Sequence, residues 1–178
     1  MTLLEKKLEI IKLLKPADVL LSFNRDNKLS ATIARITDSS WSHVMMYIGN
    51  GNIVESSVGG VHITSIKHYL DDKYDLCLLR ANLFSQQDKK IVKYSLSLVG
   101  KKYGYLQMLW YAFIRLIGKS ESPKWQLDIQ PNAMVCSEAI AESYRKNGLT
   151  IKTSIKDTGA EPADFWESNI FRKIKLAR

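Results

Sequence analysis

The chain has 178 residues, 46% apolar and 25% charged, which is enough for one well-buried core and excludes a disordered or collagen-like polypeptide. Twenty-six Lys and Arg against eighteen Asp and Glu leave a formal charge of +8; this suits an anionic partner, nucleic acid or a membrane surface, without bearing on fold. Two widely separated cysteines, Cys77 and Cys136, exclude a disulfide scaffold or a zinc cluster.

The N-terminal segment MTLLEKKLEIIKLLK is interrupted by Glu9 and Lys12 and is followed by no small-residue cleavage pattern, so it does not read as a secretion signal. Leu4, Leu8, Ile11 and Leu14 share one face of a predicted helix, ended by Pro16. That helix packs on the core or lies on a membrane with Lys6, Lys7, Lys12 and Lys15 near the headgroups. Asp18 to Phe23 reads as a buried strand, and a short helix is predicted around Leu29 to Ile36. Ser42 to Ile48 and Ile53 to Val58 form two further strands joined by Gly49-Asn50-Gly51-Asn52, a strong hairpin signal because Asn and Gly tolerate positive φ. Short strands near Val61 to Thr64 and from Tyr74 to Arg80 follow.

Ser85 stands three residues before Asp88, resembling a capping box. Ile91, Tyr94 and Leu98 share a face of the helix that follows, and Gly100 suits its end. The stretch from Tyr105 to Ile117, YLQMLWYAFIRLI, is shorter than the roughly 20 residues of a membrane span and contains Arg115. It reads as a core helix, with a membrane-contacting or acyl-chain-binding helix as the alternative. A polar loop runs from Ser120 to Asn132 with Pro123 and Pro131, and a helix extends from near Cys136 to about Asn147. Thr150 to Ile155 is a predicted strand, and Ala163 to Asn169 a short helix after Pro162. Clustered strands flanked by helices make this an α+β fold, one domain over 1–178.

Three places carry chemistry: Trp41-Ser42-His43-Val44 at a strand start, Glu55 beyond the hairpin, and Val135-Cys136-Ser137-Glu138 at a helix start. A free thiol has a pKa of about 8.5, and the N–H groups at a helix N-terminus favour its thiolate, as does a nearby imidazolium. Cys136 with His43 is therefore a sensible nucleophile and base, and a carboxylate such as Glu55 would orient the imidazole. For His43 and Glu55 to share a face, the hairpin turn must hold an odd number of residues, because side chains alternate along a strand. A three-residue loop with a bulge satisfies this; a two-residue Asn-Gly turn does not. Cys77, inside an apolar strand, reads as packing. His43, His62 and His68 lack the usual metal-ligand spacing, so no metal or other cofactor is expected, and His62 and His68 read as surface or strand-end residues. No helix-turn-helix, zinc-finger or aromatic-basic RNA pattern supports nucleic acid.

These segments resemble a known group. SHVMMYIGNGNIVES is similar to the His-bearing hairpin of the circularly permuted, NlpC-type papain-like hydrolases, whose relatives include lecithin-retinol acyltransferase and the YiiX/YebB-like bacterial proteins. In that group the His strand comes first, a polar partner follows the hairpin, and the Cys helix comes late, as with His43, Glu55 and Cys136. VGKKYGY resembles its G-x-x-Y segment, which places Tyr103 near the site, and VCSEAIAESY its nucleophile helix. PADVLLSF and EPADFWES look like YiiX-branch segments, so the resemblance spans about 16–172. Glu55 stands where the acyltransferase relatives carry a second His, which favours the YiiX-like branch.

The resemblance implies a papain-like fold with helices around an antiparallel sheet or half-barrel. It also implies cleavage of amide or ester bonds through a thioester on Cys136. The oxyanion would meet the Cys136 N–H and a second donor from Tyr103, Ser42 or Trp41. The expected substrate is a small molecule, lipid or peptide. A lipid-linked one is favoured by the basic excess and the 105–117 stretch, with a cell-wall-type peptide or a non-catalytic binding module as rivals. The expected setting is cytoplasmic, peripheral to an anionic membrane.

Overall fold

Strands made of unbroken apolar runs need cover on both faces, and the computed structural model of this chain provides it. The structure describes residues 2–57, 59–104, 106, 118, 133–151 and 160–178. In chain order the elements are α1 (Leu3–Leu13), β1 (Val19–Asn24), α2 (Lys28–Ile36), β2 (His43–Gly49), β3 (Asn52–Ser57) and β4 (Gly60–Ser65). After these come a 3-10 helix (Ile66–Leu70), β5 (Tyr74–Ala81), α3 (Gln87–Ser97), β6 (Lys102–Tyr103), β7 (Ala133–Met134), α4 (Cys136–Arg145), α5 (Pro162–Glu167) and β8 (Phe171–Ala177).

Six strands form one sheet in the order β4-β3-β2-β1-β5-β8, each pair antiparallel. Alternation divides its core in two. Val19, Leu21, Val44, Met46, Cys77 and Leu79 pack on one face against Ile91 of α3, Ile140, Ala141 and Tyr144 of α4, and Phe165 of α5. Leu20, Met45, Ile53, Leu76 and Leu78 pack on the other against Ile10 of α1 and Ile66 and Tyr69 of the 3-10 helix. The fold is α+β, as the sequence implies.

The hairpin register has an unforeseen origin. Asn50 (φ 53) and Gly51 (φ 74) form a two-residue turn, closed by Gly49 opposite Asn52. Between Tyr47 and Gly49 the register shifts, so Met45 pairs with Glu55 and Tyr47 with Ile53. The extra residue is Ile48. A bulge of this kind adds one residue to one strand, so a two-residue turn plus the bulge gives the odd count that puts His43 and Glu55 on one face.

Other expectations change. On α1 it is Lys7 and Ile10 that are buried, while Leu4 and Leu8 remain 46% and 41% exposed. The helix is turned this way because Lys7 lays its stem over the core and its Nζ donates to the carbonyls of Asp71 (2.6 Å) and Leu70 (3.5 Å), so a lysine fills a core-facing position. Ser85 does not cap α3; the cap position is Gln86, in left-handed geometry with no side-chain cap, and Gln87 instead accepts from the Phe84 N–H. Strand β8 and the 3-10 helix are additions to the expected elements. Val58, the stretch from Tyr105 to Ile117 apart from Leu106, the loop from Ser120 to Asn132, and Lys152 to Ile155 of the expected late strand lie outside the described residues; Ile151 is a bend. No helix among the described residues is long and apolar enough to cross a membrane.

A short parallel pair, β6 with β7, leads into the start of α4. The Val61 N–H donates to the Lys101 carbonyl (2.8 Å), Gly100 N–H to the Val61 carbonyl (2.9 Å), and Ser56 Oγ to the Met134 carbonyl (2.6 Å). Tyr103 and the start of α4 are thereby tied to β3 and β4. Gly60 (φ +106) makes the approach possible, because a Cβ there would stand 2.2 Å from the Lys101 carbonyl oxygen. Gly60→Ala should therefore cost at least about 2 kcal/mol, by strain plus backbone collision. Gly59→Ala, with similar φ but open space around it, should cost less. Urea unfolding of the two variants measures the difference.

Candidate active site

Cys136 opens α4, whose first N–H groups have no partner within the helix. Val135 precedes it in extended geometry, and the Glu138 carboxylate reaches back to the Val135 N–H at 2.9 Å, fixing the start of the helix. The thiol is buried, which by itself pushes its pKa up. The charge and hydrogen bond of His43 outweigh that, together with the backbone N–H groups of Val44 and Ser137, and hold Cys136 below the usual thiol value. Cys77 is the contrast: buried in the sheet among apolar neighbours, its thiol is pushed up to about 12.

His43 begins β2. Its Nε2 lies 2.6 Å from Glu55 Oε2, and the ring also shares a hydrogen bond with the Cys136 side chain. Burial disfavours the imidazolium, but the Cys136 thiolate, its hydrogen bond and the Glu55 carboxylate raise His43 to about 10. Glu55 is itself buried, at 4% exposure. Burial raises its pKa, yet the hydrogen bond and charge of His43, the Tyr69 hydroxyl and His62 hold the carboxyl below its ordinary value. Tyr69 Oη donates to Glu55 Oε2 at 2.5 Å, and its ring lies nearly parallel to His43, centroids 6.3 Å apart. Burial and the Glu55 charge raise the Tyr69 pKa, so it donates as a neutral phenol.

The structure thus brings Cys136, His43 and Glu55 together. Tyr103 and Ser42 line the space in front of the cysteine, with Ser42 Oγ hydrogen-bonded to Ser30 Oγ. Trp41 borders neither cavity at Cys136. It is buried against Trp166 and beneath the Arg178 guanidinium, and its indole N–H has no partner among the described residues. The structure places it in the core, away from the cavity lining at Cys136.

Sequence reasoning missed two groups. Tyr69 sits on the unforeseen 3-10 helix. His62, expected at the surface, pairs across β3–β4 with Glu55 and places Nε2 3.4 Å from Glu55 Oε1, while its Nδ1 lies 2.9 Å from the Gly60 carbonyl. No local motif marks either one: the strand register brings in His62, and the return of the 3-10 helix over Glu55 brings in Tyr69. His68 bonds Tyr74 Oη instead (3.1 Å). Among the described residues no group of three or more His, Cys, Asp or Glu is placed to hold a metal ion.

No curated protein matches the chain by sequence. Its fold is similar to the crystal structure of the metalloprotein YiiX from Escherichia coli O157:H7, with a TM-score of 0.64 at 16% identity, covering 90% of this chain and 96% of that one. The likeness supports the permuted papain-like arrangement. Residues 14–113, which include His43 and Glu55, match one family, and on that match this chain belongs to the permuted papain-like amidase enzymes of the YaeF/YiiX type, the C92 family.

Proposed function

We propose that the protein is a cysteine amidase in which Cys136 is the nucleophile, His43 the acid and base, and Glu55 the group that orients the imidazole. The observation that carries this reading is the Cys136–His43–Glu55 chain, with Cys136 and Glu55 buried and His43 half-buried, in which the thiol is lowered and the imidazole raised. An ordinary thiol is mostly protonated at neutral pH; a thiolate–imidazolium pair is already charged and ready to attack an acyl carbonyl. The tetrahedral oxyanion would meet the N–H groups at the start of α4, with Tyr103 or Ser42 as the second donor. His43 then protonates the leaving group and draws a proton from the water that hydrolyses the thioester. A binding module built on the same fold would have no use for an activated thiol.

A membrane-surface partner is a second reading. Exposed Leu4 and Leu8 stand beside exposed Lys12 and Lys15, a combination that suits an anionic bilayer. Phosphatidylserine vesicles should co-sediment with the protein at low salt and release it at high salt; failure to bind at low salt overturns this reading.

Cys136→Ala should reduce amide or ester turnover by at least about a thousandfold while leaving the unfolding midpoint near wild type. A variant that still turns over at the wild-type rate removes Cys136 from the mechanism. Iodoacetamide should alkylate Cys136 well below pH 8.5 and spare Cys77, as read by peptide mass. Glu55→Gln removes a charge that raises His43; the imidazolium then titrates at lower pH, its support for the thiolate weakens, and the alkylation profile should move to higher pH. An unmoved profile would show that Glu55 plays no part in holding the pair charged.

A further inference from the structure

Two cavities meet at Cys136, and their walls differ in chemistry. One, of about 80 Å3, is walled mainly by Ile33 and Ile36 of α2 with Val135, Ala160 and Pro162, and Glu161 is the one charged residue at its border. The other, of about 380 Å3, is of mixed lining: His43, Glu55, His62 and Asn27 stand among Leu29 and Tyr74, so it is the more polar of the two. Cys136, Ser42, Tyr103 and Ile33 border both, whereas His43 borders only the second. This asymmetry sets a direction. When the thiolate adds to a carbonyl carbon, the departing atom must lie where His43 can protonate it. The leaving group therefore extends into the polar cavity, and the acyl group turns the other way, into the apolar one.

Resting on the cysteine-amidase reading, we propose that the substrate is an amide with a short aliphatic acyl group and a polar leaving amine. A dry apolar cavity of about 150 Å3 takes a benzene ring, so 80 Å3 accepts about three or four carbons. The polar cavity falls within the usual range of small-molecule sites, and its amide, hydroxyl and imidazole groups match an amine bearing several hydrogen-bonding groups. In the reaction the Cys136 Sγ–carbon bond forms, the carbon–nitrogen bond breaks, and the His43 proton moves to the departing nitrogen. Water then adds to the thioester carbon, gives a proton to His43, and the carbon–sulfur bond breaks to release the carboxylic acid and restore the pair.

The test compares four amides: N-acetyl-, N-butanoyl- and N-hexadecanoylglucosamine, and N-butanoylcyclohexylamine. N-butanoylglucosamine should exceed both the hexadecanoyl and the cyclohexyl compounds in kcat/KM by at least about tenfold. Ile36→Trp, which fills the apolar cavity, should lower the butanoyl-to-acetyl ratio by about tenfold, with iodoacetamide labelling of Cys136 reporting an intact site. A hexadecanoyl substrate cleaved as well as the butanoyl one, an unchanged ratio in Ile36→Trp, or equal cleavage of the cyclohexyl amide overturns the proposal. Acylation of Cys136 by p-nitrophenyl acetate separates the two failures by intact mass. If the ester acylates Cys136 but the amides show no such order or are not cleaved, this proposal falls alone. If no acyl adduct forms, the amidase reading falls with it.

Discussion

One extra residue, Ile48, decides whether the candidate site exists. Side chains alternate along a strand, so a register shifted by one turns every side chain to the opposite face. With the bulge between Tyr47 and Gly49, Glu55 pairs with Met45 and shares a face with His43. Without it, the same Asn50-Gly51 turn would direct Glu55 toward the helix-covered core of Val54 and Met46, and His43 would lose its carboxylate. The arrangement of Tyr69 and His62 follows from the same register, because both approach Glu55 on that face.

Burying a carboxylate is costly unless it is paired and hydrogen-bonded. Glu55 meets that condition with His43, Tyr69 and His62. The imidazolium is in turn bounded on both sides by negative charge, from Glu55 and from the thiolate. The sulfur completes the chain at the end of a helix, where N–H groups point outward. Each charge is stabilised by the next, which is why the thiol is held below its usual value and the imidazole above it in a largely buried setting.

Much of this was legible in the sequence, and the reasons are specific. Unbroken apolar runs such as VLLSF and DLCLL mark strands covered on both faces. The Asn-Gly turn marked the hairpin, and Cys136 at a helix start marked the candidate site. What stayed hidden depends on tertiary contact. The buried face of α1 could not be read from its leucines, because Lys7 takes a core position only by virtue of the carbonyls of Leu70 and Asp71. Strand β8, FRKIKLA, carries three cations in seven residues and looks like solvated chain until β5 supplies its partner. Tyr69 has no motif at all. Its role arises where the 3-10 helix after β4 returns over Glu55.

Strand β8 closes one side of the sheet, and among the described residues no strand lies beyond it. An open edge of this kind can recruit a strand from a second molecule and grow into an aggregate. Here the strand carries Arg172, Lys173 and Lys175 beside an exposed Leu176: Lys173 stands 3.7 Å over the Trp166 ring, and Lys175 bonds Glu9 at 2.6 Å. A second copy approaching this border in register would bring cation against cation. The charge that hides the strand from a hydropathy reading is thus also a barrier to polymerisation.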